Sequence, residues 1–229
     1  MDVLDAWRTV AIVTMVLYHF LYDLAAFGRM TWEQFFSPGL NALQLFICGS
    51  FILLAGISSR LSRNNARRGL VTLGAGFLVM LGAYAAGLPI WFGILQFLGV
   101  TMLIYAALGK YFQRVPNLAS AVLYPVLFFV TRAWTDAALV STKWLWPLGF
   151  RYAGFSSADY FPILPWIFLF LFGAWLGGVL LRTERAAWLY RSLPVWLTWP
   201  GRHSLVIYVL HQPVLYGLCY VCFSISIFA

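Results

Sequence analysis

The sequence predicts an all-α membrane protein, a polytopic bundle of about seven transmembrane helices. Of its 229 residues, 62% are apolar and 10% are charged, and the mean hydropathy is +0.84. Soluble domains carry about 25% charged residues, which excludes that class here. Apolar runs near the ~20 residues that cross a bilayer follow one another with short loops between them. This leaves no room for a soluble catalytic domain, so we expect a single transmembrane domain over residues 1–229.

The apolar runs predict the membrane spans in chain order. No small-residue cleavage site follows the first run, so we interpret it as a retained span and not as a signal peptide. Leu88, Pro89 and Ile90 predict a tight turn between the third and fourth spans, and Pro125 interrupts the fifth. The predicted spans are residues 7–27, 41–59, 67–87, 91–109, 117–134, 162–181 and 203–228.

The basic residues indicate the orientation of the chain. The net charge is +8, and the basic residues lie between the apolar runs. This placement favours a topology signal and contact with anionic headgroups over nucleic-acid binding. One alternating set of loops holds eleven basic residues and the other holds four. The positive-inside rule therefore predicts an inside N-terminus and an outside C-terminus. The eleven are Arg8, Arg60, Arg63, Arg67, Arg68, Lys110, Arg114, Arg182, Arg185, Arg191 and Arg202, and the four are Arg29, Arg132, Lys143 and Arg151.

Two further features concern packing and the outer surface. Gly173-x-x-x-Gly177 and Gly82-x-x-x-Ala86 have the small-residue spacing that lets helix backbones approach, and we expect this packing within the chain. Residues 135–161 form an outer loop rich in aromatic side chains. Such a loop is typical of an aromatic belt at the interface, and a lid over an acceptor site is the alternative.

The first span carries four ionisable residues on one helix face. At about 100° per residue, His19 lies about 20° from Arg8, and Asp5 and Asp23 lie about 60° from it. A charge at the bilayer centre costs about 3 kcal/mol, so this face should point into the bundle. His19 and Asp23 are spaced to pair on the helix, which would leave one imidazole nitrogen free as a base. A polar pair that holds helices together is the alternative.

The seventh span offers a second histidine inside the membrane. His211 lies about 12 Å beyond His203 along the axis, and His19 lies about 16 Å beyond Arg8. The two histidines therefore lie at similar depth if their helices are neighbours. In the fourth span, Gln96 predicts either an interhelical hydrogen bond or a stabiliser of an oxyanion.

Four arginines cluster between the second and third spans. Arg60, Arg63, Arg67 and Arg68 lie within nine residues. They are typical of a positive-inside signal in contact with lipid phosphates. They also suit a polyphosphate site, because guanidinium forks match phosphate oxygens and a helix begins next to them. Cys219 and Cys222 lack a second pair of ligands, so we expect no metal site.

Several short strings follow one another along the chain. They are Asp5-x-x-Arg8, residues 15–24, Ala55-Gly-Ile-Ser58, Trp91-Phe-Gly-Ile-Leu-Gln96-Phe-Leu-Gly99, residues 160–166 with Gly173-Ala-Trp-Leu-Gly177, and residues 201–213. In this order they resemble the bacterial relatives of the heparan-alpha-glucosaminide N-acetyltransferase catalytic domain, within a wider group of transmembrane acyltransferases. The resemblance implies a multi-pass enzyme of the bacterial inner membrane. It would move an acyl group, often acetyl, from cytosolic acyl-CoA to an amino or hydroxyl group of a sugar or envelope glycan.

The resemblance also implies roles for individual residues. By the pattern of the wider group, His19 would be catalytic. Two further candidates come from their positions in the spans and not from the resemblance: Asp23, which would orient His19, and His211. The arginine cluster would hold the CoA phosphates, and Arg8 and Gln96 complete our predicted cofactor-binding set of Arg8, Arg60, Arg63, Arg67, Arg68 and Gln96. An acyl-histidine intermediate and direct transfer both stay open, as does a homo-oligomer. The departures are Thr9, where the family usually has Gly, and residues 28–40, which contain no His.

Two other functions compete with the acyltransferase prediction. A proton-coupled transporter would use His19 and Asp23 as a proton relay and would need no CoA. A non-catalytic assembly factor would need no cavity at His19. Loss of CoA affinity when Arg63 and Arg67 are replaced together separates the enzyme from the transporter.

Overall fold

The computed structural model describes residues 1–182 and 188–224. Regular structure in these ranges is helical, apart from one isolated bridge between Leu139 and Arg151. Seven of the described helices are long and apolar enough to cross a membrane, so the predicted all-α multi-pass class is confirmed. The orientation of the termini remains a prediction. Arg185 and the last four positions of the seventh predicted span lie outside the described residues.

The long helices coincide one for one with the predicted spans, and two short α-helices in the described ranges were not predicted. The short ones are α2 and α8, which are too brief to cross a bilayer. The bounds are α1 Asp2–Ala26, α2 Trp32–Phe35, α3 Pro38–Leu61, α4 Asn65–Ala85, α5 Ile94–Phe112, α6 Asn117–Ala137, α7 Ile163–Arg182, α8 Val195–Arg202 and α9 Ser204–Ser224.

The connection between α4 and α5 is longer than the predicted three-residue turn. Helix α4 ends at Ala85 because Gly87 adopts a left-handed φ of 75°, and the Leu88 amide returns to the Ala83 carbonyl at 2.9 Å. Helix α5 begins at Ile94, whose amide donates to Asp159 Oδ2 at 3.0 Å. Residues 86–93 therefore form the connection, and a carboxylate from a distant loop sets the start of α5.

The chain divides into two compact units, and the first comprises Met1–Phe51 and Ala187–Ala229. Its core is an apolar cluster that includes Ile12, Met15 and Phe35. Helix α8 packs closely on α1, since a Cβ on Gly201 would lie 1.9 Å from the Asp5 carbonyl oxygen. The Gly201 amide donates to Thr9 Oγ1 at 2.9 Å. The Thr9 hydroxyl thus contributes a hydrogen bond that holds α8 on α1.

The second unit, Ile52–Ala186, brings helices together through glycines. A Cβ on Gly173 would lie 2.3 Å from the Leu53 carbonyl oxygen, and one on Gly177 would lie 2.9 Å from the Ile57 oxygen. The predicted packing of these two glycines within the chain is therefore confirmed. Gly82 differs, because nothing lies within 4 Å of its Cβ position. The spacing of Gly82 and Ala86 was thus not sufficient to predict a helix contact.

The aromatic loop of residues 135–161 folds onto the connection between α4 and α5. The Ala158 amide donates to the Pro89 carbonyl at 3.0 Å, and the Phe161 amide donates to the Phe92 carbonyl at 2.8 Å. The Tyr160 hydroxyl donates to the Trp146 carbonyl at 2.5 Å. Burial raises the pKa of the Tyr160 phenol to about 12, so this hydroxyl keeps its proton. Backbone hydrogen bonds therefore hold this loop against the connection between α4 and α5.

Candidate active site

Helices α1 and α9 bring the two predicted membrane histidines together. The ring centroids of His19 and His211 lie 4.7 Å apart, with the ring planes at 79°. Each ring is held by a carbonyl of its own helix. His19 Nδ1 lies 2.9 Å from the Met15 oxygen, and His211 Nδ1 lies 2.6 Å from the Tyr208 oxygen. Both helices belong to the first unit, so a residue near the N-terminus meets one near the end of the described chain.

These contacts define the tautomer of both neutral rings. A carbonyl oxygen can only accept a hydrogen bond, so each Nδ1 carries the hydrogen. The lone pair of each neutral ring is therefore on Nε2, where it can accept a proton. His211 is 8% exposed, and its Nε2 has no hydrogen-bond partner among the described residues. His211 Nε2 is thus a buried nitrogen that can accept a hydrogen bond or a proton.

Asp23 does not take the partner that the sequence predicted. Its side chain is 0% exposed, and Oδ1 accepts a hydrogen bond of 2.8 Å from Gln212 Nε2 on α9. Among the described residues, His19 bonds the Met15 carbonyl and Asp23 bonds Gln212, so these bonds take the place of the predicted pairing of His19 with Asp23. Side chains of a helix lean towards its N-terminus, and His19 therefore turns to Met15, away from Asp23.

Three buried acceptor atoms near α9 lack a partner in the described part of the chain. They are Asp23 Oδ2, Gln212 Oε1 and His211 Nε2. An unpaired buried polar atom costs about 1–3 kcal/mol, and a native protein retains such atoms where a ligand or water pairs with them. Because all three accept, the partner they lack is a donor such as a hydroxyl or an amine.

Gln212 is a site residue that we did not predict. Its amide holds Asp23 across two helices that are distant in sequence. The available signal was an amide next to His211 in an otherwise apolar run. Because Gln212 lies about 100° from His211 around the helix, the sequence alone did not show that both side chains face α1.

Tyrosines border the histidine pair on both helices. Tyr18 is buried and its ring lies 5.9 Å from that of His19, edge to face. The Tyr208 ring lies 5.5 Å from that of His211 and also belongs to the apolar cluster of the first unit. The histidine pair is therefore bordered by an aromatic ring on each of the two helices.

The four clustered arginines lie in the second unit, in different surroundings. Arg63 and Arg67 are exposed, whereas Arg68 Nη1 donates to the Ser58 carbonyl at 3.2 Å. Asn64 Oδ1 accepts from the Arg67 amide at 3.0 Å and caps the start of α4. Arg60 lines a cavity between helix ends. The cluster is therefore not one uniform surface.

The remaining predicted binding residues, Arg8 and Gln96, have protein partners. Arg8 forms an ion pair with Asp5 of its own helix, and Asp5 also pairs with Arg202 at 3.3 Å. Gln96 is buried, and its Nε2 donates to the Gly76 carbonyl at 3.0 Å. This bond joins α5 to α4, which is the interhelical alternative that we gave for Gln96.

The fold defines a multi-pass membrane protein, and its first unit brings two histidines of α1 and α9 into contact. The family model described as heparan-alpha-glucosaminide N-acetyltransferase, catalytic, matches residues 1–213, and the chain belongs to this family. The predicted family is thereby confirmed, and the chain is a membrane acyltransferase by family. This finding gives no support to the transporter alternative. No curated protein and no solved structure matches the chain.

Proposed function

We propose that this protein transfers an acyl group, acetyl in the first instance, from acyl-CoA to an amino or hydroxyl group of a sugar or envelope glycan. The whole chain would act as one domain in the inner membrane of a bacterium. The proposal is supported by the family match and by one structural observation. That observation is the set of buried acceptor atoms on Asp23, Gln212 and His211, with the His211 ring 4.7 Å from that of His19.

The histidine pair would supply the base. A neutral imidazole takes the proton from the acceptor's amine or hydroxyl through Nε2 as the acceptor attacks the thioester carbonyl. The carbon–sulfur bond then breaks, and the CoA thiolate leaves with a proton returned by the imidazolium. The imidazolium formed in this step carries a hydrogen on Nε2 and would stabilise the oxyanion, and an acyl-histidine intermediate stays open. Two rings 4.7 Å apart suit this chemistry, because one can act while the other binds the acceptor.

Asp23 would bind the acceptor, a role that differs from orienting His19. Gln212 fixes one carboxylate oxygen, and the other is left for a donor group of the acceptor. A buried carboxylate also favours the imidazolium that forms during transfer. If the acyl acceptor is an amine that is protonated before the reaction, its positive charge would also favour binding at this oxygen.

The exposed arginines Arg63 and Arg67 would bind CoA phosphates. Their forks are accessible, and Arg67 lies in the first turn of α4, where the helix dipole favours an anion. Arg8, Arg60, Arg68 and Gln96 complete the predicted set.

Acetyl transfer by the purified protein tests the catalytic part. In nanodiscs with labelled acetyl-CoA and an amino-sugar acceptor panel, we expect His19→Ala and His211→Ala each to lower kcat by about 10²–10⁴-fold. His203→Ala is the matched control, because His203 is exposed and stacks on Trp199 at 4.5 Å. Wild-type turnover in both site variants would reject the histidine base.

Binding of the donor is tested separately. Replacing Arg63 and Arg67 together by Gln should raise the KM for acetyl-CoA and leave kcat nearly unchanged, since the phosphates lie far from the reacting bond. Lys143→Gln serves as the control, because Lys143 is an exposed cation of the outer loop. An unchanged KM in the double variant would overturn the assignment of these arginines.

A further inference from the structure

Helix α8 has a buried side and an exposed aromatic side. Thr198 and Gly201 are buried, and Gly201 packs on α1. Val195, Trp196 and Trp199 are 70%, 74% and 53% exposed. At about 100° per residue, Trp196 and Trp199 lie about 160° and 100° from Thr198 around the helix. The helix therefore packs on α1 with one side and leaves its aromatic side exposed.

The contacts of α8 place it at the level where two membrane spans begin. A Cβ on Gly201 would lie 1.9 Å from the Asp5 carbonyl oxygen, within the first turns of α1. Just before α8, the Leu193 amide donates to Asp2 Oδ2 at 3.1 Å. Helix α9, which is long and apolar enough to cross a membrane, begins at Ser204 directly after α8. Because Asp2 and Asp5 are costly in hydrocarbon, this level is the polar boundary of the membrane.

The composition of the segment around α8 also fits a lipid interface. Trp188 and Tyr190 are 54% and 63% exposed, which adds two aromatic rings to those of α8. Trp and Tyr favour the membrane–water interface, because each ring is apolar while its N–H or O–H is polar. Residues 188–203 contain no Asp or Glu, and Arg191 is exposed. The segment therefore offers apolar rings and positive charge to phospholipid headgroups, whose phosphates are negative.

We propose that α8, together with residues 188–191, lies in the headgroup region of a phospholipid bilayer, in the leaflet where α1 and α9 begin. The rings of Trp196 and Trp199 insert between the headgroups and the lipid chains, and Arg191 contacts the lipid phosphates. The connection between the sixth and seventh spans is then a membrane-bound element and not a loop in water. The proposal goes beyond the acyl transfer and holds without it.

Spin labels on the full chain test this depth through their accessibility to oxygen and to a polar nickel complex. The protein, with its three cysteines replaced by Ala, is reconstituted in vesicles of phosphatidylethanolamine and phosphatidylglycerol. Labels are attached at Trp196→Cys and Val195→Cys. The aqueous reference is Arg63→Cys, and the hydrocarbon reference is Val214→Cys, since Val214 is 56% exposed on α9. We expect the nickel complex to reach the two α8 labels about two- to fivefold less than the Arg63 label, and more than the Val214 label.

Three results would overturn the proposal. Equal nickel accessibility at Trp196 and Arg63 places α8 in water, and a value equal to that at Val214 places it in the hydrocarbon core. Low accessibility to both oxygen and the nickel complex shows that a protein, such as a second copy of this chain, covers the aromatic side. A melting temperature equal to that of the cysteine-free parent shows that each labelled variant is folded, and the two positions on α8 give independent readings. The test uses no acetyl-CoA, so its result does not depend on the proposed activity.

Discussion

Replacing Gln212 by Leu removes the hydrogen-bond partner of a carboxylate that is 0% exposed. Interhelical hydrogen bonds in membranes contribute about 0.6 kcal/mol on average. Here the acceptor is a carboxylate, and hydrogen bonds to charged groups contribute about 1.5–3 kcal/mol. Asp23 Oδ2 already lacks a partner among the described residues, so the variant leaves both oxygens unsatisfied. We therefore expect Gln212→Leu to lower the free energy of unfolding by about 2 kcal/mol.

Unfolding of the purified protein by SDS in mixed micelles measures this loss. The control is the double variant Asp23→Leu/Gln212→Leu, which replaces both partners by apolar groups. Because the double variant leaves neither the Asp23 carboxylate nor the Gln212 amide buried without a partner, it should be more stable than Gln212→Leu alone. Acetyl transfer should be lost in the double variant despite its stability. A Gln212→Leu variant that unfolds within about 0.5 kcal/mol of wild type would refute the reasoning.

Two further predictions concern packing and pH. In Gly173→Ala the new Cβ would lie 2.3 Å from the Leu53 carbonyl oxygen, closer than the 3.0 Å below which Cβ atoms essentially never approach another heavy atom. We therefore expect the free energy of unfolding to fall by about 1–3 kcal/mol in the same assay. Gly82→Ala, which has open space, should be neutral or stabilising by up to about 1 kcal/mol, and equal losses in the two variants would contradict the prediction. Burial of Asp159 raises its pKa to about 6, while the bond from the Ile94 amide opposes this. Its carboxyl therefore binds a proton more tightly in the folded protein than in the unfolded chain. The resulting stability, at most about 3 kcal/mol, is full below pH 4 and is lost as the pH rises to about 6. Asp159→Asn should make the melting temperature nearly independent of pH between pH 4 and 6. If the melting temperature of the variant changes with pH as much as that of wild type, Asp159 is not the source of the pH dependence.

The membrane spans were predictable because hydrophobicity over about 20 residues is a local property. Each apolar run became one long helix, with bounds that differ by a few residues. The short helix α8 was missed because its place on α1 depends on the contact of Gly201 with Thr9, far apart in the chain. The connection before α5 was underestimated for a similar reason, since Asp159 caps that helix from a distant loop.

Small-residue spacing predicted helix contacts only in part. Gly173 and Gly177 meet the backbone of residues 53–57, while Gly82 has the same spacing and meets nothing within 4 Å. The spacing marks a face that could allow close approach. Whether another helix lies on that face depends on the packing of the whole unit.

The sequence by itself determined the family, the spans and the face of α1 that carries His19, because each is encoded in neighbouring residues or in the helix period. It also predicted that His19 and His211 lie at similar depth. The tertiary structure alone decided that these rings meet at 4.7 Å and that Asp23 binds Gln212. A buried polar group bonds to a partner on the helix that faces it. Contacts between distant parts of the chain decide which helix that is.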